Sequence, residues 1–131
     1  MFEAHGSFEL AVRGNILQAN IIGGWNVESA QQYSEAIKEI TKPLFGKPWA
    51  IISVMDEWEL FTPDCEPIIK ALSAKAYQSG LVREAMVNRI DSIKMQPFHA
   101  EIRGAPLFER QFHSTIEEAI TWLKSEGFSL T

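Results

Sequence analysis

Few residues in this chain could do chemistry, and their spacing is unpromising. Cys65 is the single cysteine, and the three histidines stand far apart at His5, His99 and His113. None of them has the close spacing of metal ligands, so no metal site is expected. Cys65 follows Pro63 and falls in the first turn of a predicted helix, where a helix dipole can lower a thiol pKa. A Cys–His couple would need His99 or His113 brought to it from elsewhere in the chain. Nothing local supports that, and a buried structural thiol is the plainer reading. Asp56, Glu57 and Glu59 crowd the approach to the same helix, where acidic residues are commonplace because they suit its N-terminal dipole. Gly23-Gly24 lacks the partners of a phosphate-binding loop. The expectation is a protein with no catalytic residue, no metal and no cofactor.

A second set of residues suits binding better than reaction. Trp58, Leu60 and Phe61 sit among Asp56, Glu57 and Glu59 in what reads as a loop. They either fold back over the core, as large aromatics usually do, or line a pocket mouth, since small-molecule sites use aromatic walls with few polar groups. Ile93, Met95, Phe98, Ile102, Leu107 and Phe108 belong to a stretch that Pro97, Gly104 and Pro106 interrupt. One reading is an ordinary core-covering helix. The other is a lid that opens at low cost, because an interrupted stretch makes fewer backbone hydrogen bonds. Met95 would adapt to varied apolar partners. Lys94, His99, Arg103 and Arg110 give the stretch a local basic character. The candidate ligand-binding residues are therefore Trp58, Phe61, Met95, Phe98 and Phe108.

The element meant to position them is Trp49–Met55. It is a short, nearly continuous apolar run with β-branched residues, bounded by Pro48 and Asp56-Glu57, and it reads as a strand buried on both faces of a parallel sheet. Ligands in open α/β sheets gather beyond the carboxyl ends of such strands. Upstream, Phe8, Leu10 and Val12 alternate with Glu9, Ala11 and Arg13. Gly14-Asn15 turns that strand into a partner over Ile16 to Ile22, giving a hairpin. Asn26 can cap an amphipathic helix of about 27 to 42, which Pro43 stops. Thr62-Pro63 reads as a second helix opening, with Thr62 as the capping hydroxyl, and Gly80 closes that helix. Glu84–Asn88 is another short strand. Residues 90 to 102 read as a helix that Pro97 must kink or split, and Glu109–Phe112 as a short edge strand. Ser114 and Thr115, three residues ahead of Glu117 and Glu118 respectively, offer overlapping capping boxes for a last helix ending at Gly127. The order β-β-α-β-α-β-α-(β)-α predicts an α/β domain whose sheet is mixed but largely parallel.

The totals agree with a single domain over 1–131. With 131 residues, 46% of them hydrophobic and 22% charged, the chain can bury a sizeable core without a staple. Its formal charge of −5 argues against a nucleic-acid partner. A lone cysteine suits a reducing cytoplasm, and the first residues have neither the basic region nor the apolar core of a signal peptide. No apolar run approaches the ~20 residues of a membrane span.

This order resembles that of the STAS domains (sulfate transporter and anti-sigma factor antagonist), and more closely the SpoIIAA-like family. The resemblance rests on the hairpin of Phe8 to Gly24 followed by Trp25 and a helix, on the strand Trp49–Met55 with acidic Asp56, on the helix after Thr62-Pro63, and on the finish from Arg110 to Leu123. Anti-sigma factor antagonists carry an Asp-Ser-Ser-Gly-like turn after the central strand, whose serine is phosphorylated. Here the matching stretch runs from Asp56 to Thr62 without that serine or glycine, so no phosphorylation site is expected. What the resemblance implies instead is a binding role for a small apolar or lipid-like ligand, with peripheral contact at the inner membrane surface and a homodimer among the open partners. The alternative is a STAS-type protein-interaction module without a phosphoswitch. In outline the order is also similar to the lipid-carrying CRAL-TRIO type.

Overall fold

In the computed structural model, which describes residues 3–90 and 93–131, the alternating pattern at the start forms a hairpin. Strand β1 (Ser7–Arg13) pairs antiparallel with β2 (Ile16–Trp25) in an unbroken register from Ser7↔Ile22 to Arg13↔Ile16. Gly14 makes the two-residue turn at φ 58°, a value that glycine adopts without strain.

Helix α1 (Val27–Ile40) begins at a complete capping box. The Asn26 side chain accepts from the Ser29 backbone N–H at 3.1 Å, and the Asn26 backbone N–H donates to the Ser29 hydroxyl at 3.0 Å. Pro43 ends the run as expected, inside a short 3-10 turn over Lys42–Leu44. Strand β3 (Trp49–Val54) then enters the middle of the sheet, with Trp49, Ala50, Ile51, Ile52 and Ser53 all buried.

The sheet runs β1-β2-β3-β5-β6, where β5 is Leu81–Val87 and β6 is Glu109–His113. Every pairing beyond the hairpin is parallel. Helices α1 and α2 (Glu66–Ser79) share one face, over a core that includes Leu17, Trp25, Ile37, Leu72 and Met86. Helix α3 (Ile116–Ser125) covers part of the other, over Ile16, Ile52, Val87 and Leu123.

Three expectations need correction, and one open choice is resolved. The segment taken for a loop is a short strand, β4 (Trp58–Phe61), which pairs parallel with the end of β2 after a register shift between Gly23 and Gly24. Thr62 does not cap α2: its hydroxyl donates to the Asp64 carboxylate, and a 3-10 turn over Pro63–Cys65 leads into the helix. The helix expected over 90–102 is only a 3-10 segment, Ile93–His99 with Pro97 inside it, and residues 91–92 of that expectation lie outside the described residues. Of the overlapping caps before α3, the Thr115 register is used: its side chain accepts from the Glu118 N–H at 3.1 Å, while Glu118 accepts from the Ser114 N–H at 2.9 Å.

Candidate ligand-binding site

The site is assembled beyond the carboxyl ends of β3 and β5. There Met55 donates its N–H to the Val87 carbonyl at 2.8 Å, and the chain turns through Asp56-Glu57 into β4. Strand β4 is anchored at both ends. Glu57 accepts from the Gly23 N–H at 2.8 Å, and the Thr62 N–H donates to the Trp25 carbonyl at 3.0 Å. This holds Trp58 buried and Phe61 half-buried, with ring centroids 5.0 Å apart.

The segment from Ile93 to Phe108, here called the strap, closes over them. Phe98 stands 5.4 Å from Trp58 and 6.4 Å from Phe61, edge to face in both cases, an arrangement that aromatic pairs favour. Met95 is fully buried in the same core cluster. Phe108 packs 4.7 Å from Tyr77 of α2 rather than on the other three rings. Arg110 bridges the two aromatic groups, its guanidinium 5.8 Å from the Phe98 ring and 5.9 Å from that of Phe108. Trp58, Phe61 and Phe98 thus form one cluster, with Met95 in the same core and Phe108 on the far side of Arg110.

Three cationic side chains tie the strap down through its carbonyls and its own lysine. Arg110 donates to the Phe98 carbonyl at 2.9 Å, Arg83 to the Leu107 carbonyl at 2.9 Å, and Lys94 reaches back to the Trp58 carbonyl at 2.6 Å. Arg110 is itself fixed by Glu84 of β5 at 2.7 Å, whose other oxygen accepts from the Ser53 hydroxyl of β3 at 2.8 Å. Burial, reinforced by the Glu84 carboxylate, pushes the Tyr33 phenol well above its ordinary pKa, and the same two causes raise that of Tyr77. Both phenols stay neutral at physiological pH.

Three hollows surround the cluster. A small one of ≈ 110 Å³ lies between the sheet and the helices, with Ser53, Glu84 and Arg110 in its wall. An open cleft of ≈ 540 Å³ runs from Trp58 to Lys70 past the start of α2. A groove of ≈ 970 Å³ separates α2 from the strap. Phe98 and Ile69 line all three. The Trp58 indole N–H is buried beside the cleft and has no hydrogen-bond partner among the described residues.

The reactive candidates are placed elsewhere. Cys65 is fully buried, its sulfur 3.4 Å from the Thr62 hydroxyl and 3.7 Å from the Trp25 carbonyl. His99 stacks on Phe112, and His113 lies against Trp122. Among the described residues no three His, Cys, Asp or Glu side chains converge as metal ligands, and no helix is long and apolar enough to cross a membrane.

With this geometry in hand, solved structures supply the comparison. An uncharacterised protein of the DUF3478 family with a SpoIIAA-like fold, from Shewanella loihica PV-4, superposes with a TM-score of 0.71 at 12% identity, over 94% of this chain and 98% of that one. The fold is SpoIIAA-like. The anti-sigma factor antagonist SpoIIAA in its unphosphorylated form also superposes, with a TM-score of 0.52 at 17% identity over 92% of this chain and 99% of that one. No protein-family profile and no curated protein matches the chain. The expected mixed, largely parallel sheet packed by helices is therefore both observed and shared with these structures.

Within the SpoIIAA-like frame, sequence reasoning found the aromatic residues but missed Ile69, Tyr77 and Glu84. The signal for Glu84 was available: it is a carboxylate opening an apolar strand run, and such a group needs a partner. The partner, Arg110, was noted only as part of a basic stretch.

Proposed function

We propose that the chain is a non-enzymatic binding module for a small amphipathic molecule, with Phe98 as the movable partition. The observation that carries this reading is that Phe98 borders all three hollows at once. With Phe98 seated, this hollow of ≈ 110 Å³ is smaller than ordinary small-molecule sites. Swung outward, the ring would join it to the cleft and the groove, whose volumes fall in the range of ordinary small-molecule sites.

The lining suggests the ligand's chemistry. Ile69, Tyr77, Phe98 and Phe108 offer an apolar bed, and Lys47, Lys70 and Arg103 stand around the groove. That pairing suits an apolar body with an anionic head. The Trp58 N–H would become available to an acceptor oxygen once Phe98 moved, relieving a buried donor that now has no partner.

Fluorescence titration with 1-anilinonaphthalene-8-sulfonate, an aromatic body carrying a sulfonate, tests the reading. Saturable binding to the folded protein is expected, with loss of at least tenfold in affinity for Phe98→Asp, since a carboxylate on the apolar bed repels the anion and resists burial. Unchanged affinity in a folded Phe98→Asp variant would refute the placement.

A regulatory protein-interaction module of STAS type is the second reading. It is favoured by the exposure of Leu60, Ile90 and Ile93 around the carboxyl end of the strands, at 52%, 73% and 87%. Ile93 and Leu107 would also be the residues to meet a lipid surface. Vesicle co-sedimentation lost in Ile93→Glu would support peripheral membrane contact.

A further inference from the structure

We propose that β1 is the docking edge for a second copy of the chain, forming a twofold antiparallel pair centred on Ala11. This uses no residue of the binding reading above and stands apart from it.

Among the described residues, strand β1 ends the sheet and pairs with β2 alone. Free edges of this length are normally blunted by proline, by charged side chains (lysine above all) or by a bulge. Ser7–Arg13 contains no proline or lysine, its two charges are opposite in sign and so can pair across a twofold, and its register with β2 runs without a break. The edge is therefore open to another strand.

The hairpin fixes which backbone groups face outward. A two-residue turn closes on a hydrogen-bonded pair, here Arg13 and Ile16. Bonded and non-bonded residues then alternate. The N–H and C=O groups of Phe8, Leu10 and Val12 consequently point away from β2. An antiparallel copy must bring such residues against each other, which restricts the register to steps of two.

Charge selects among those steps. Glu9 and Arg13 are exposed on the face of β1 opposite α1, four residues apart and opposite in sign. Centring the pair on Ala11 sets Leu10 against Val12 twice, outward groups meeting outward groups, and Glu9 against Arg13 twice. A slip of two residues separates the charges: one way Glu9 faces Ala11 and Arg13 faces Ser7, the other way Arg13 faces Ala11 and Glu9 faces Asn15. Glu9 is already steadied by the Asn20 side-chain amide at 3.5 Å. The half-buried Phe8, Leu10 and Val12 would continue their row across the twofold, so both copies keep the same face inward. The interface is isologous and closed, as dimers of this symmetry require.

Sedimentation equilibrium on the whole chain tests the proposal, with circular dichroism to verify that the variants fold. The wild type is expected to dimerise. Glu9→Arg and Arg13→Glu each replace two attractive cross-strand pairs by two repulsive ones and should raise the dissociation constant about tenfold or more. The double variant restores opposite charges and should restore the dimer. Amide exchange supplies a second readout: Leu10 and Val12 should be protected in the wild-type dimer and exchange freely in Glu9→Arg. A wild type that stays monomeric at every concentration reached would overturn the proposal. So would a dimer indifferent to the single reversals, or one that the double variant fails to restore.

Discussion

Arg110 makes contacts that no other side chain of the site combines. It pairs with Glu84 at 2.7 Å, donates to the Phe98 carbonyl at 2.9 Å and lies against two aromatic rings. Both members of the ion pair are largely shielded, at 17% and 12% side-chain exposure. Removing one therefore strands the other away from water, which costs more than the pair itself contributes. Arg110→Ala should destabilise the protein by about 2 kcal/mol, measured by urea unfolding, and should speed amide exchange in the strap before that of β3. His113 carries a separate pH signature. Burial holds its imidazole below the ordinary value of 6.5, against the opposing pull of Glu118, and its Nε2 has no partner among the described residues. The fold thus prefers the neutral ring, and the unfolded chain binds the extra proton. This contribution is present in full above about pH 6.5 and is lost as pH falls through the lowered folded value. Unfolding curves taken across that window should show a shallower loss of stability for His113→Gln than for the wild type.

At the scale of elements, the turn at Gly80 bears most on where the site sits. Gly80 ends α2 at φ 118°, and a Cβ there would lie 2.3 Å from the Lys47 carbonyl oxygen. Its N–H closes the helix on the Tyr77 carbonyl at 3.3 Å, and its carbonyl holds the start of β3 by accepting from the Trp49 N–H at 2.9 Å. Gly80→Ala should cost about 2 kcal/mol or more, through backbone strain plus the clash, read as a lowered midpoint in urea. What sequence reasoning recovered divides along the same lines. The hairpin, α1, β3, β5, β6 and α3 were legible because each carries its own periodicity and its own cap or turn. Strand β4 was not. Its four residues read as a loop because Glu59 and exposed Leu60 break the alternation, and its strand character comes from pairing with Gly23–Trp25, more than thirty residues earlier. The strap was misread for the opposite reason. Its apolar spacing is helical, but Pro97 removes a donor and limits it to a 3-10 run. Thr62 had the right type for a cap, and Asp64 took its hydroxyl.

Across the whole molecule, one sheet face is closed by α1 and α2 and the other only partly by α3, so the apolar surface left over concentrates at the strap end. The strap is held to that end by aromatic packing and by a few polar bonds to carbonyls, and it enters no sheet ladder. Such a segment opens at a fraction of the global unfolding free energy. Its amides should therefore exchange faster than those of β3, and equal protection would remove the basis for a movable partition. Trp58, Phe61, Met95 and Phe98 were legible as large apolar side chains near one strand end, whereas Phe108 stands just before β6, at the amino end of the parallel strands. Their division by Arg110, and the shared wall at Phe98, depend on tertiary contacts between β5, β6 and the strap that no local pattern encodes.

The central claim is that Phe98 gates a site for an amphipathic anion. Native mass spectrometry of the folded protein, incubated with saturated fatty acids of graded chain length, tests it most directly. The account predicts a discrete adduct of one ligand per chain in the wild type, with a preferred chain length, and its loss in Phe98→Asp. A bare chain at every length, or the same adducts in both proteins, would contradict it.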